Sequence, residues 1–147
     1  DRYSAEVRAL IDGLGVGDRV QVRGMLEGTA LAACYERADA FVLPSRSEGF
    51  GTVYAEAFNF GLPVIGYRVP SLSWLEGPAG PGAALLVSPG DVTALGEAMA
   101  SLVADAALRD RMAAAASLKA AKLPTWHESE RSFTEVVRAA LDTASGA

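Results

Sequence analysis

The chain has 147 residues, half of them hydrophobic, which suits one folded domain with its own core. A net charge of −5 argues against a nucleic-acid surface, because such surfaces gather Lys and Arg on one face. No apolar run approaches the roughly 20 residues that a membrane-spanning helix needs.

Cysteine and histidine are scarce, at one residue each. Cys34 lies among alanines in a helical pattern, so we predict that it packs in a core and is not a nucleophile; a single cysteine also fits a reducing cytosol. With His127 as the one histidine, and with no Asp-x-Asp pair to hold a metal against a diphosphate, we expect no bound metal or cofactor. From the single cysteine we expect a cytoplasmic protein, and attachment to the inner face of the membrane is left open.

Helices and strands alternate in the first half of the sequence. Residues 3–14 place apolar side chains on one face and predict a helix that ends near Gly15. The alternating segment 19–24 (RVQVRG) predicts a strand, and residues 28–37 predict a second helix. The apolar run 40–44 predicts a strand buried on both faces.

The alternation continues with a helix at 51–60 and a buried strand at 63–67. Residues 68–82 hold several prolines and predict a loop with one helical turn around residues 72–75. A further strand is predicted at 83–87.

Three more helices follow, at 91–103, 104–121 and 125–144, and their predicted N-caps are Asp91, Asp105 and Thr125. Strands alternating with helices predict an α/β fold, a Rossmann-like parallel sheet of four strands with helices on both faces. In such sheets ligands bind beyond the carboxyl ends of the strands. Because four strands are few and a helix opens the sequence, we expect the first βα units of the domain to lie outside these residues.

The segment Ser45–Phe58, SRSEGFGTVYAEAF, joins a predicted strand to a predicted helix. Gly49 and Gly51 remove Cβ atoms where a ligand could approach the backbone. The amides of residues 51–53, the helix dipole and the Thr52 hydroxyl favour a phosphate or another anion. An ordinary βα turn that needs glycines for tightness is an alternative of equal weight.

Two glutamates flank this anion site. Glu48 precedes the helix, where a plain role at the helix terminus is open to it. If Val53, Ala57 and Phe60 form the buried stripe, Glu56 falls about 40° from Phe60 and about 60° from Val53 on the helical wheel. Glu56 would then border the buried face, where a carboxylate usually has a dedicated partner, and ligand hydroxyls suit it.

The Glu48-x7-Glu56 pattern, within VLPSRSEGFGTVYAEAFNFGLPVIG, resembles the signature of the retaining GT-B glycosyltransferases of family 4. Further matching stretches stand in the order of that family's C-terminal domain, and they are 17–24, 31–45, 61–65, 84–99, 108–116 and 126–128. The resemblance therefore covers nearly the whole sequence. It implies the C-terminal, nucleotide-sugar-binding half of a GT-B architecture, with the N-terminal acceptor domain outside these 147 residues.

The resemblance also implies a role for each position of the motif. Glu48, the catalytic position, would contact hydroxyls of the donor sugar, and Glu56 would bind the ribose hydroxyls. The remaining contacts would come from the backbone of Gly49, Phe50 and Gly51 for the sugar and diphosphate, from Thr52 and Val53 for phosphate, and from Gly24, Met25 and Leu26 for the nucleobase.

The implied reaction is retaining transfer of a glycosyl group from a UDP- or GDP-sugar to an acceptor hydroxyl on a glycan, a lipid or a small molecule. The acceptor would sit on the N-terminal domain, so this chain by itself is expected to be inactive. One alternative is a sugar-nucleotide epimerase or a phosphorylase of the same architecture. Another is a non-catalytic domain for assembly or regulation, which salt bridges at Glu48 or Glu56 would favour.

Two features depart from the family pattern. The Arg and Lys that usually meet the diphosphate belong to a βα unit outside these residues, and we do not assign Arg46 to that task. Where the family often has Gly-Gly-x-Pro-Glu, residues 69–74 read VPSLSW. We predict local packing for Trp74, and we predict that Trp126 and His127 anchor the last helix.

Overall fold

The computed structural model describes residues 2–76 and 82–145. The elements in chain order are α1 (Arg2–Gly13), α2 (Gly28–Glu36), β1 (Phe41–Leu43), α3 (Thr52–Asn59), β2 (Val64–Tyr67), a 3₁₀ helix (Pro70–Leu75), β3 (Ala84–Val87), α4 (Val92–Ala104), α5 (Ala106–Ala120) and α6 (Trp126–Ser145). Every predicted helix is confirmed, and so is the helical turn within the proline-containing loop. The part of that loop from 77 to 81 lies outside the described residues.

The chain divides into two compact units, one up to Cys34 and one from Tyr35 onward. In the first unit, Gly15 adopts a φ of 63° just after α1, and its amide donates to the carbonyl of Asp12 at 3.0 Å. This left-handed glycine confirms the predicted end of the first helix. Cys34, in α2, is half-buried and accepts a weak hydrogen bond from Arg23 at 3.8 Å.

The prediction of a strand at 19–24 is wrong. Residues 20–27 form neither a helix nor a strand, and the side chains of Val20 and Val22 are exposed. A strand needs a neighbouring strand for its backbone hydrogen bonds, and the described residues of the first unit, 2–34, contain none. The alternation in RVQVRG is therefore not accompanied by the pairing that would make it a strand.

Three strands form a parallel sheet in the order β1–β2–β3. All four residues of the central strand β2 are buried, as its continuous apolar run predicts. Phe41 of β1 aligns with Val64 of β2, and Val64 aligns with Ala84 of β3. The Rossmann-like α/β class is confirmed, with three strands in the described residues and not the predicted four.

Helices cover both faces of this sheet. On one face, Ile65 of β2 packs in a buried cluster with side chains of α4 and with Met112 of α5. On the other face, Tyr54 of α3 lies edge-on against Phe41, with ring centres 5.8 Å apart. Gly66 makes room for Tyr54, since a Cβ at residue 66 would lie 2.8 Å from the Tyr54 hydroxyl. Helix α5 also packs against α3.

The three predicted N-caps are confirmed. Asp91, Asp105 and Thr125 each accept a hydrogen bond from the backbone amide three residues later, at 2.9, 2.8 and 3.2 Å. Glu128 returns a bond, because its Oε2 accepts from the Thr125 amide at 2.7 Å, which completes a capping box. The Glu128 carboxylate also accepts from the Thr125 hydroxyl at 2.8 Å, and these two bonds, the one from the amide first, lower the pKa of the Glu128 carboxyl below its usual value.

The prediction that Trp126 and His127 anchor the last helix is wrong. Trp126 is 92% exposed, and His127 is exposed as well. The start of α6 is held by the capping box of Thr125 and Glu128, which needs no aromatic contact. The apolar face of α6 is exposed too in the described structure.

We expect Met112→Ala to lower the free energy of unfolding by about 2–5 kcal/mol, because it leaves a cavity between α5 and the sheet. The matched control is Leu118→Ala on the same helix, where the side chain is 67% exposed and the change should stay within about 0.5 kcal/mol. Urea unfolding followed by circular dichroism measures both values. Equal losses for the two variants would contradict the assignment of the core.

Candidate functional site

The segment 44–51 connects the carboxyl end of β1 to the start of α3. Gly51 is the N-cap residue with a φ of 79°, and its carbonyl accepts from the Tyr54 amide at 2.9 Å. In the described residues no side chain caps this helix. The amides of Thr52 and Val53 therefore have no helical carbonyl to bond and point out of the helix start, where an anion is favoured.

The two glycines of this loop differ in their surroundings. A Cβ at Gly51 would lie 2.5 Å from Cδ2 of Leu72 and 2.9 Å from Cδ2 of Tyr54, and both of these side chains are fully buried. Gly51 is thus required by its left-handed backbone and by its packing. Gly49 has no described atom within 4 Å of its Cβ position, so its backbone is the one that a ligand can approach.

Glu48 is half-buried at the base of the loop. Its backbone carbonyl accepts a hydrogen bond from Ser71 Oγ at 2.7 Å. Its carboxylate acts on Tyr54: burial first, and then the charge of Glu48, raise the pKa of Tyr54 to about 12. The Tyr54 hydroxyl donates to the carbonyl of Leu43, at the end of β1, so the neutral phenol is the form that this site stabilises.

The predicted buried stripe of α3 is wrong in part. The buried residues are Tyr54, Ala57 and Phe58. Phe60 lies beyond the last helical residue and is 39% exposed. Glu56 is exposed and lies about 160° around the helix from both Tyr54 and Phe58, so it opposes the buried face and does not border it.

Glu56 nevertheless has a hydrogen-bond partner, although it lies on the exposed face of α3. The hydroxyl of Tyr35 donates to Oε2 of Glu56 at 3.4 Å. The Tyr35 ring is buried between Phe41 of β1 and Phe60, with ring centres 5.8 and 5.0 Å away. Burial, followed by the charge of Glu56, raises the pKa of Tyr35. A carboxylate has about four acceptor positions, so this bond leaves capacity for ligand hydroxyls.

A groove of about 650 Å³ opens beside Glu56, between α3 and the start of α6. We call it the α3–α6 groove, and its main lining residues are Phe50, Thr52, Glu56, Asn59, Thr125 and Trp126. Its volume lies within the range of small-molecule sites. The exposed indole of Trp126 forms part of one wall and presents a flat face on which a ring can stack. Sequence reasoning assigned Trp126 to anchoring the helix and missed its place in the groove, since an aromatic at a helix start carries no signal of a groove.

Trp74 packs locally, as predicted. Its ring stacks on Phe50 with centres 5.0 Å apart and planes 6° apart, and it lies perpendicular to the ring of Phe58 with centres 5.9 Å apart. The same residue donates from Nε1 to the carbonyl of Phe50 at 3.0 Å. The 3₁₀ helix that carries Trp74 therefore contacts the loop 44–51. The sequence pattern did not indicate this contact.

The predicted nucleobase residues belong to the first unit, in the irregular segment between α1 and α2. Gly24 has a φ of 69°, Met25 is exposed and Leu26 is half-buried. Their role in binding a base stays a prediction.

The ion pairs in residues 2–76 and 82–145 join Arg2 to Glu6 and Arg68 to Glu76. Neither Glu48 nor Glu56 takes part in an ion pair in that part of the chain. The same residues contain no group of three or more His, Cys, Asp or Glu side chains placed to hold a metal. None of the helices in that part of the chain is long and apolar enough to cross a membrane. Arg46 lies beside Gly90, in the loop that follows β3.

Residues 2–119 match the family model of the glycosyl transferases group 1. The chain belongs to this family. It is 34% identical over 136 residues to the D-inositol 3-phosphate glycosyltransferase of Xylanimonas cellulosilytica. This alignment covers 89% of the chain and 31% of that protein. It is also 31% identical over 115 residues to a lipopolysaccharide core biosynthesis mannosyltransferase of Rhizobium meliloti. That alignment covers 78% of the chain and 31% of the mannosyltransferase.

The fold resembles that of solved glycosyltransferases. Sucrose-phosphate synthase from Thermosynechococcus elongatus matches 95% of the chain with a TM-score of 0.83 and 29% identity, over 34% of its own length. The pneumococcal O-GlcNAc transferase, solved with UDP and GlcNAc, matches 93% of the chain with a TM-score of 0.73 and 24% identity, over 27% of its own length. The sheet and its helices are thus part of the GT-B architecture. The chain spans about a third of the length of these proteins.

We expect Gly51→Ala to destabilise the protein by about 1–3 kcal/mol, because alanine disfavours a φ of 79° and its methyl group would press on Leu72 and Tyr54. Gly49→Ala is the matched control and should change stability by less than about 0.5 kcal/mol. Chemical unfolding measures both variants. A larger loss at residue 49 than at residue 51 would contradict the packing described for the loop.

Tyr54 should contribute a loss of stability at alkaline pH. Its folded-state pKa of about 12 lies above its ordinary value of 10.0, so its contribution is complete below about pH 10 and is lost as pH rises towards 12. Tyr54→Phe cannot ionise, so its unfolding free energy, although lower at neutral pH, should fall less steeply above about pH 10. Tyr3→Phe, on the exposed side of α1, should keep the slope of the unchanged protein. Equal slopes for all three proteins would refute the raised pKa.

Proposed function

We propose that this chain forms the donor-binding part of a retaining glycosyltransferase that takes a UDP- or GDP-linked sugar and transfers the glycosyl group to an acceptor hydroxyl. The observation that carries the proposal is the placement of two glutamates on either side of the uncapped start of α3. Membership of the glycosyl transferases group 1 supports it.

A nucleotide sugar has an anionic diphosphate between two groups that are rich in hydroxyls. The amides of Thr52 and Val53 and the positive end of the α3 dipole suit the diphosphate. Glu56 lies four residues into the helix, about 6 Å along its axis from Thr52. Neither glutamate then needs to touch the phosphates, so their charges do not have to oppose binding at close range.

Each glutamate suits a different hydroxyl-bearing part of the donor. Glu56 opens on the α3–α6 groove, and its spare acceptor positions fit the ribose diol. Glu48 lies before the helix, next to the open backbone of Gly49, and its carboxylate would accept hydrogen bonds from the transferred sugar. The backbone of Phe50 and Gly51 completes the lining between sugar and diphosphate in this proposal.

The leaving group of the proposed reaction is a nucleoside diphosphate, which gains negative charge as the glycosidic bond breaks. Amides fixed at a helix start stabilise such charge without having to reorganise. Glu48 would hold the sugar hydroxyls so that the reacting carbon keeps its position during transfer. We propose that this scheme proceeds without a bound metal.

The acceptor site is proposed to come from another part of the protein, because the chain spans about a third of the length of its named relatives. Those relatives are named for D-inositol 3-phosphate and for the lipopolysaccharide core. A hydroxyl-bearing acceptor is the chemistry that both names share, and Gly24, Met25 and Leu26 are proposed to flank the nucleobase.

Replacing the two glutamates should separate nucleotide binding from transfer. In the complete protein, Glu56→Gln should weaken UDP or GDP binding about 10-fold or more, because it replaces a charged acceptor of the ribose hydroxyls. Glu48→Gln should leave that affinity within about threefold and lower the transfer rate at least 10-fold. Isothermal titration calorimetry gives the affinity, and release of nucleoside diphosphate from a panel of UDP- and GDP-sugars gives the rate.

Glu97→Gln, at an exposed position of α4, is the matched control and should change neither quantity. If neither UDP- nor GDP-nucleotides bind the unchanged protein, the donor proposal is wrong. If they bind and both variants behave like Glu97→Gln, the roles given to Glu48 and Glu56 are wrong. If they bind but the unchanged protein transfers no sugar, a non-catalytic domain becomes the better explanation.

A further inference from the structure

The 3₁₀ helix Pro70–Leu75 holds the loop Glu48–Gly51 through main-chain atoms. Ser71 Oγ donates to the carbonyl of Glu48 at 2.7 Å, and Trp74 Nε1 donates to the carbonyl of Phe50 at 3.0 Å. A 3₁₀ helix has three residues per turn, so residues 71 and 74 project from the same side. The spacing of the two donors thus matches two carbonyls that lie two residues apart in the loop.

Apolar contacts reinforce these two bonds. The Trp74 ring stacks on the ring of Phe50 and lies perpendicular to the ring of Phe58 of α3, so it contacts both the loop and the helix that follows it. Leu72, fully buried, occupies the space next to the absent Cβ of Gly51. The 3₁₀ helix therefore contacts the loop at residues 48, 50 and 51.

Lys119 of α5 fixes the far end of the 3₁₀ helix. Its Nζ donates to the carbonyl of Trp74 and, at 3.0 Å, to the carbonyl of Glu76. It also lies 5.8 Å from the centre of the Trp74 ring, within the range of a cation–π contact. Because α5 packs against α3, Lys119 ties the 3₁₀ helix to the same framework that carries Glu56.

We infer that Ser71, Trp74 and Lys119 are positioning residues, which set the backbone of the Glu48–Gly51 loop and thereby place the Glu48 carboxylate for the donor sugar. This inference rests on the proposed function. A loop with two glycines samples many conformations when it is free, and the contacts from the 3₁₀ helix select one of them. Catalysis depends on such fixed placement, since small displacements of a catalytic group lower the rate.

The positioning residues should influence the sugar end of the donor more than its nucleotide end. The proposed nucleotide contacts come from the amides of α3 and from Glu56, whose bonded partner is Tyr35. The hydrogen bonds from Ser71 and Trp74 go to the carbonyls of Glu48 and Phe50 instead. Loss of either bond should therefore lower the rate of transfer while the affinity for nucleoside diphosphate stays nearly constant.

The test uses the complete protein with Ser71→Ala and Trp74→Phe. The first variant removes the hydroxyl donor, and the second keeps an aromatic ring but removes the Nε1–H donor. Ser73→Ala is the matched control, because Ser73 is an exposed serine on the same 3₁₀ helix. Selective ¹⁵N-glycine labelling reports the order parameters of the Gly49 and Gly51 amides, and the rate of sugar transfer and the affinity for UDP and GDP are measured on the same samples.

Both variants should lower the order parameter of Gly49 from about 0.85 to below about 0.6, the values typical of rigid and flexible backbone. The transfer rate should fall about 5- to 10-fold, the factor expected for one lost hydrogen bond, while the affinity for UDP and GDP changes less than about twofold. Ser73→Ala should leave all three quantities unchanged.

The inference is overturned if Ser71→Ala and Trp74→Phe behave like Ser73→Ala. It is also overturned if the affinity and the transfer rate fall by the same factor, since that result indicates a purely structural role. If the unchanged protein binds neither UDP nor GDP, the proposed function fails, and the glycine order parameters then decide separately whether the 3₁₀ helix sets the loop.

Discussion

The site depends on where Tyr54 lies. Its ring packs edge-on against Phe41, and its hydroxyl donates to the main chain at the end of β1. Two glycines make this placement possible, since a Cβ at Gly51 or at Gly66 would overlap the tyrosine. One side chain thus fixes the distance between α3 and the sheet, and with it the position of the helix start relative to the carboxyl ends of the strands.

This placement gives the two glutamates separate supports. Glu48 belongs to a loop whose carbonyls accept hydrogen bonds from the 3₁₀ helix, and its charge helps to raise the pKa of Tyr54. Glu56 stands on the exposed face of α3, next to the buried Tyr35 and open to the α3–α6 groove. An anion at the helix start can therefore lie between two carboxylates that are held apart by different elements.

Local interactions account for what the sequence predicted well. The caps Asp91, Asp105 and Thr125 act within one helical turn, so their residue types and positions suffice to locate three helix starts. The buried strand at 64–67 was equally legible, because a parallel strand covered on both faces needs a continuous apolar run. The glycine-flanked loop before α3 was also predictable as a helix entry.

Non-local contacts account for the errors. RVQVRG alternates, but alternation cannot report whether a partner strand is at hand. The face of α3 that carries Glu56 was misassigned because Phe60, which closes the expected stripe, lies beyond the end of the helix and stacks on Tyr35. The support of the loop by Ser71 and Trp74 depends on contacts across 23 and 24 residues of sequence, which no local pattern encodes.

The bond from Ser71 reaches the main chain of residue 48 and leaves its side chain untouched. Any amino acid at that position presents the same carbonyl, so the hydrogen bond from Ser71 does not depend on which side chain residue 48 carries. Architecture and chemistry can therefore evolve independently here. A related protein can change the group that faces the ligand at this position while it inherits the scaffold intact.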